Sequence, residues 1–256
     1  MVAEKKLIGS RAIVTGAAQG FGESIVRALA HEGVSVAIAD LNLQGAKQVA
    51  SEVEASGGSA LAIKVDVTQP QEVAEMVREV LNRWNTIDIL VNNAGGWYKS
   101  SSIVEFTDDQ WDQIITLNLK SVFLCSRAVA KHMMERRKGR IINIASRGGV
   151  HPTSTGIANI AYVTAKGGVI TFTKHLATQL APYGITVNSI APGTALTPRV
   201  NKVRDAESLR KIAERNPMGH LIEPQDVAEA ALFLASEGSR YITGINLNVN
   251  AGLVMI

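Results

Sequence analysis

The sequence predicts a doubly wound α/β fold, a parallel sheet covered by helices on both faces, and three observations carry that prediction. Apolar runs of strand length alternate along the chain with segments of helical periodicity. The first run, Ala12-Ile13-Val14, opens at once into a glycine-rich turn, Thr15-Gly16-Ala17-Ala18-Gln19-Gly20-Phe21-Gly22, that leads into a helix. The second run, Val34 to Ala39, closes on Asp40. At 256 residues the chain fits one α/β domain around one core, and no internal repeat or linker divides it.

The elements follow in order. From Ser24, the positions Ile25, Val26, Leu29 and Ala30 keep helical spacing until Gly33. A helix over about 44–55 ends at Gly57-Gly58, and strand three, 60–65, closes with Asp66-Val67-Thr68. The next helix starts near Pro70, a favourable first-turn residue. Strand four, 87–91, is followed by Asn92-Asn93-Ala94-Gly95-Gly96. One long helical segment is expected from Asp108 to about Arg136, with Asn118 as a polar residue on a largely apolar surface. Strand five, 140–145, delivers Ser146, and the helix containing Tyr162 and Lys166 comes next. Strand six, 185–190, ends at Ala191-Pro192-Gly193-Thr194-Ala195-Leu196-Thr197-Pro198. Residues 194–217 are charged and irregular enough to form a mobile lid with a short helix, before a helix at 224–235 and a strand at 245–249.

Composition narrows the function classes. Hydrophobic residues at 46% and charged residues at 19% suit a globular protein and exclude extensive disorder. The net charge of +3 is only mildly basic, and the dense basic run at 135–140 reads as a helix C-terminus complementing its dipole, so no nucleic-acid partner is expected. No apolar run approaches the length of a membrane span, and residues 1–6 lead into no signal-peptide core, which makes a cytoplasmic location the expectation. Cys125 is the single cysteine; it forms no internal disulfide and lies in an apolar stretch where a buried thiol is expected.

The chemistry gathers at the carboxyl ends of the strands, where a doubly wound sheet holds its ligand. A Gly-x-x-x-Gly-x-Gly turn between strand and helix lets backbone N–H groups and a positive helix N-terminus approach a pyrophosphate. Asp40, at the end of strand two, is placed to accept hydrogen bonds from ribose hydroxyls and to repel a 2′-phosphate. Neither Gln19 nor Leu41 supplies a guanidinium for such a phosphate, so NAD is favoured over NADP. Tyr162 and Lys166 stand one helical turn apart. An ammonium beside a phenol favours phenolate, lowering a pKa of about 10 toward the range of a proton-transfer catalyst.

Together these residues resemble the classical short-chain dehydrogenase/reductase family, in its single-domain Rossmann-type form, over essentially the whole chain. The resemblance rests on Thr15 to Gly22, Asp66, Asn92 to Gly95, the set Asn118, Ser146, Tyr162 and Lys166, and Pro192, Gly193 and Thr197, all in order on the expected elements. It implies that residues 1–256 form one dinucleotide-binding and catalytic domain. Catalytic roles would fall to Asn118, Ser146, Tyr162 and Lys166. Cofactor contacts would come from Gly16, Gln19, Gly20, Phe21, Gly22, Asp40, Leu41, Asp66, Val67, Asn93, Ala94, Gly95, Pro192, Gly193, Thr194 and Thr197, with Tyr162 and Lys166. In those roles Tyr162 exchanges a proton with the substrate oxygen, Ser146 holds that oxygen, Lys166 binds the nicotinamide ribose, and Asn118 holds a local break in its helix together with a water. Ser146 precedes Tyr162 by sixteen residues, a longer loop than the family usually has, and Val249-Asn250-Ala251-Gly252 departs from its usual C-terminal acid and paired glycines. Thr153, Ser154 and Thr155 are rival hydroxyls, but Ser146 alone directly follows a strand on the active edge.

Substrate contacts are expected from Ser146, Arg147, Trp97, Tyr98, His151 and Arg199. Trp97 and Tyr98 offer a flat apolar wall, Arg147 and Arg199 a grip for an anionic group, and His151 a loop position rather than a catalyst. The leading expectation is an NAD-dependent dehydrogenase of a polar or anionic secondary alcohol, working with no metal. A 3-oxoacyl thioester reductase, acting on an acyl carrier protein or coenzyme A thioester, is the alternative; Asp40 counts against it because such reductases generally use NADPH. A dinucleotide-sensing protein without catalysis is the third reading, and a sensor need not keep all four catalytic residues. The family pairs the helices of Asn118 and Tyr162 across subunits, and with the apolar tail Leu253-Val254-Met255-Ile256 this implies a homotetramer.

Overall fold

The computed structural model describes residues 7–96, 102–151, 159–198, 200 and 204–255. Its strands are β1 (Arg11–Thr15), β2 (Ser35–Asp40), β3 (Ser59–Lys64), β4 (Ile89–Asn92), β5 (Gly139–Ile144), β6 (Ile185–Pro192) and β7 (Asn246–Val249). They form one seven-stranded sheet in the order β3-β2-β1-β4-β5-β6-β7, and every neighbouring pair is parallel. Strand order reverses between β1 and β4, which opens a crevice at the carboxyl edge. Among the described residues the α-helices include α1 (Gly20–His31), α2 (Leu43–Ala55), α3 (Pro70–Trp84), α4 (Asp108–Ile115), α5 (Ser121–Arg136), α6 (Arg147–Val150), α7 (Ile160–Leu180), α8 (Ala206–Arg215) and α9 (Pro224–Ala235).

The two-residue period of a strand sends successive side chains to opposite faces, and in β1 this divides the core. Ala12 and Val14 join Val36, Ile38, Val91 and Ile142 under α1, α2 and α9, whereas Ile13 joins Ala37, Leu90, Ile141 and Val187 under α3, α5 and α7. Both faces being covered explains why the strands read as unbroken apolar runs. Burying each large side chain of this kind contributes about 1.5–3 kcal/mol.

The strands and helices lie where the sequence puts them, to within a few residues at each end, with two informative differences. The segment 108–136 is not one regular helix: α4 passes into a π-helical turn, Thr116–Lys120, that contains Asn118, before α5 begins. The loop after Ser146 opens with the short helix α6. The short helix expected within residues 194–217 is present at 206–215, where the N-cap Asp205 accepts a hydrogen bond from the Ser208 N–H at 2.8 Å. Cys125 is buried as expected, and burial pushes its thiol up to about 12. Asn250, where the sequence departs from its family, exchanges hydrogen bonds with the Val254 backbone and packs its Cα against Gly193. Among the described residues no helix is long and apolar enough to cross a membrane, and no cluster of side chains is fit to hold a metal ion.

Candidate active site

A cavity of about 440 Å³ occupies the crevice, a size in the range of small-molecule sites. One of its ends is built from backbone. Gly16 and Gly20 take positive φ angles, +63° each, which favour glycine. A methyl group on Gly22 would stand 2.4 Å from the Gly16 carbonyl oxygen, and one on Gly16 would stand 2.7 Å from the Ala94 Cα. These glycines therefore let α1 start directly beneath the turn. The turn is clamped from β4: Asn93 Nδ2 donates to the Thr15 and Gly16 carbonyls at 2.9 and 2.8 Å, and Thr15 Oγ1 accepts from the N–H groups of Asn93 and Ala94, both at 3.1 Å. At the lip of this end Asp40 accepts from the Ala18 and Asn42 N–H groups at 2.9 and 2.8 Å, so its carboxylate is held in one orientation at the end of β2. Asp66 carries the N–H and hydroxyl of Thr68 on one oxygen, at 2.9 and 2.7 Å.

The other end is built from side chains. Lys166 is buried, and its Nζ donates to the Ile144 carbonyl at 2.7 Å while lying 5.9 Å from the centre of the Tyr162 ring. Burial lowers the Lys166 pKa to about 8. Tyr162 sits in the first turn of α7, whose N-cap Asn159 accepts from the Tyr162 N–H at 2.8 Å. Ser146 caps α6, its Oγ accepting from the Gly148 N–H at 3.2 Å. Gly149 sets the distance between α6 and α7: a methyl group there would meet the Gly167 nitrogen and the Lys166 carbonyl carbon at 2.5 Å each. Asn118 is fully buried behind this end. Its Nδ2 donates to the carbonyls of Gly96 and Ile114 at 2.9 and 3.0 Å, and its Oδ1 accepts from the Gly96 N–H at 3.0 Å. The helix break expected at Asn118 is thus present, and the side chain is spent on clamping it to the loop after β4.

Of the sequence-proposed residues, Gly16, Gln19, Gly20, Phe21, Asp40, Leu41, Asp66, Val67, Asn93, Ala94, Gly95, Ser146, Arg147, Tyr162, Lys166, Pro192, Gly193, Thr194 and Thr197 all line this one cavity. Gly22 and Asn118 stand behind the lining, and exposed His151 lies outside it. Trp97, Tyr98, Arg199, Thr153, Ser154 and Thr155 fall outside the described residues. The structure adds Arg204, which lines the same end as Arg147 and which no local spacing in the sequence marked. It also adds a buried chain in which Asn92 Nδ2 donates to Ser126 Oγ and Asn143 Oδ1, and Asn143 Nδ2 donates to Thr173 Oγ1, tying β4, β5, α5 and α7 together.

A family model described as Enoyl-(Acyl carrier protein) reductase matches residues 16–254. The chain is 40% identical over 248 residues to a 3-oxoacyl-[acyl-carrier-protein] reductase of Staphylococcus epidermidis, covering 95% of this chain and 98% of that protein. The chain belongs to the classical short-chain dehydrogenase/reductase family. Another relative in this family is a subunit of (2S)-[(R)-hydroxy(phenyl)methyl]succinyl-CoA dehydrogenase of Thauera aromatica, 36% identical over 241 residues, or 94% of this chain and 95% of that protein. Among solved structures, a 3-oxoacyl-[acyl-carrier protein] reductase from Brucella melitensis superposes with a TM-score of 0.93 at 33% identity, covering 99% of this chain and 94% of that one. A short-chain type dehydrogenase/reductase from Mycobacterium marinum gives a TM-score of 0.93 at 32% identity, covering 99% and 98%. The fold is therefore the Rossmann-type sheet the sequence implied, and the protein is an oxidoreductase of a family that uses a nicotinamide dinucleotide.

Proposed function

We propose that the protein is an NAD(H)-linked oxidoreductase that interconverts 3-oxoacyl and 3-hydroxyacyl thioesters of an acyl carrier protein or coenzyme A. The observation that carries the chemistry is a single cavity lined at one end by the glycine turn and Asp40 and at the other by Ser146, Tyr162 and Lys166. The thioester reading draws on the relatives, two of which are named for 3-oxoacyl carrier-protein reduction and one for dehydrogenation of a hydroxyacyl-CoA. A 3-hydroxyacyl group is itself a secondary alcohol, so this reading narrows the first expectation from the sequence and takes up its alternative.

The residues present suit a dinucleotide. Gly16 and Gly22 have no room for a side chain and Gly20 carries none, which leaves backbone N–H groups at the start of α1 as the surface offered to a diphosphate. Asp40, oriented by two backbone donors, would bind the adenosine ribose hydroxyls and disfavour a 2′-phosphate, and Leu41 beside it brings no cation. When bound, the nicotinamide supplies or takes the hydride at the substrate's C3 carbon.

In the reductive direction Tyr162 Oη donates its proton to the C3 oxygen as that carbon receives hydride, so that ketone becomes alcohol and Tyr162 becomes phenolate; the oxidative direction reverses each transfer. Ser146 Oγ already accepts from the Gly148 N–H, which leaves its own hydrogen to be donated to the substrate oxygen. Lys166 spends one of its N–H bonds on Ile144 and keeps others for the nicotinamide ribose, while its charge stabilises the phenolate. Asn118 holds the π turn against Gly96 and so fixes the floor of the site. Residues 194–217 would close over the acyl chain. The exposed apolar side chains Trp111, Phe123 and Ile160 on α4, α5 and α7 support association as a homotetramer, and a clean monomer on sizing at micromolar concentration would contradict it.

The thioester reading is tested by steady-state NADH oxidation with 3-oxobutyryl thioesters set beside simple ketones such as cyclohexanone. A kcat/KM at least about ten-fold higher for a thioester is expected. Equal or better turnover of the simple ketones would return the protein to a general alcohol dehydrogenase.

A further inference from the structure

Charge is segregated along the cavity. Asp40 and Asp66 lie at the glycine-turn end, whereas Arg147, Lys166 and Arg204 lie at the end that carries Ser146 and Tyr162. Lys166 is engaged with the Ile144 carbonyl, but the two arginines are not engaged with anything comparable. Several arginines elsewhere in the chain meet acids: Arg27 pairs with Glu23 and Glu52, Arg136 with Asp88, and Arg140 with Glu237. Among the described residues, the guanidinium groups of Arg147 and Arg204 have no hydrogen bond and no ion pair. Both are partly buried, and Arg147 is disfavoured as a cation first by that burial and then by the charge of Arg204. Two half-desolvated like charges facing one cavity without a counter-ion weaken a fold unless an anion is bound between them.

The position of the pair says where that anion lies. Arg147 follows Ser146 directly in the chain, and Ser146 is the hydroxyl assigned to the reacting oxygen. An anion reached from Arg147 is therefore on the substrate, near the reacting carbon. The phosphate of a pantetheine arm is separated from the thioester by the whole length of the arm and does not meet this requirement. Planar guanidinium forks match a carboxylate with paired hydrogen bonds.

We propose that Arg147 and Arg204 together receive a free carboxylate on the acyl chain, so that the preferred substrate is a 3-oxoacyl or 3-hydroxyacyl thioester of a dicarboxylic acid. The thioester half of this statement rests on the function proposed above; the carboxylate half rests on the arginine pair alone. Arg204 replaces Arg199, the partner for Arg147 expected from the sequence, which lies outside the described residues.

The test compares kcat/KM for three ketones with NADH: a 3-oxoacyl thioester ending in a carboxylate, the same compound as its methyl ester, and a 3-oxo dicarboxylic acid monoester with no thioester. Wild type is compared with Arg147→Met, Arg204→Met and Arg147→Lys, and NADH affinity is titrated by fluorescence for each. The expected result is a carboxylate-over-ester ratio of about 10–100 in wild type that collapses toward one in both Met variants, is partly kept in Arg147→Lys, and is accompanied by unchanged NADH affinity. A wild-type ratio near one, with the neutral thioester well used, overturns the proposal and leaves the thioester function standing. Turnover confined to the carboxylate-bearing non-thioester, still dependent on Arg147, keeps the carboxylate site and removes the thioester. NADH affinity that falls in the Met variants while the ratio persists assigns the pair to the cofactor diphosphate and likewise overturns it.

Discussion

The two ends of the cavity are made by different means. At the glycine-turn end the ligand surface is backbone, held in place because Gly16 and Gly22 leave no side chain between the turn, α1 and the Asn93–Ala94 segment. At the Ser146–Lys166 end the surface is side chains, and their placement depends on distant supports: Gly149 pressed onto α7, Asn118 bonded to Gly96, and the buried Asn92–Asn143–Thr173 chain. The first kind of site needs absence of bulk in a short stretch of sequence. The second needs agreement among elements far apart in the chain, and so it fails in more ways.

Substitutions at glycine can separate the two ends. Gly149→Ala puts a methyl group where the Gly167 nitrogen and the Lys166 carbonyl carbon already are, so α6 and Ser146 must shift. A fall in kcat of about 100-fold is expected, with NADH affinity unchanged, because sub-ångström misplacement of a positioning group costs on that order. Gly22→Ala should do the reverse, weakening NADH binding at least ten-fold in a fluorescence titration and lowering Tm, since its methyl group meets the Gly16 carbonyl oxygen and Asn93. If both variants change affinity and turnover in parallel, the division between the ends is wrong.

Asp40→Ala acts within the first end. Removing the carboxylate that Ala18 and Asn42 orient is expected to shift the NADH-over-NADPH ratio of kcat/KM by about 10–100-fold toward NADPH. A wild-type enzyme that already prefers NADPH would refute the role given to Asp40.

Lys166 affects stability rather than turnover or cofactor choice. Its ammonium is disfavoured by burial, so its pKa of about 8 in the fold lies below the ordinary lysine value of about 10.5 that holds in the unfolded chain. Below pH 8 both states carry the proton and the fold bears the full cost of the buried charge. Between about 8 and 10.5 the folded protein releases the proton first, and this group's contribution to stability therefore rises with pH by about 3 kcal/mol. Denaturant melts of cofactor-free protein should show that rise in wild type relative to Lys166→Met. Identical pH dependence in the two would mean that Lys166 is not desolvated.

How much of this was legible follows the same division. The glycine turn, Asp40, and the one-turn spacing of Tyr162 and Lys166 are local patterns, and the structure brings all of them to one cavity. The π turn was invisible to helical periodicity because its cause is the bond from Asn118 to Gly96, a residue of another element. Thr15 and Asn93 were placed on the right edges, but their clamp crosses between β1 and β4 and no spacing within either strand encodes it. Gly148-Gly149 read as loop residues, whereas Gly149 is the contact that lets α6 lie on α7. Arg204 looked like one more charge in an irregular segment until the fold turned it into the cavity beside Arg147.

The central claim is that Tyr162 moves the proton in a cavity whose other end holds the dinucleotide independently. Single-turnover reduction of a 3-oxoacyl thioester by the NADH complex, in wild type and in Tyr162→Phe, tests it directly. The account predicts a rate lower by about 10²–10⁴-fold in the variant with the same NADH dissociation constant. An undiminished rate, or a loss explained by weaker NADH binding, would contradict it.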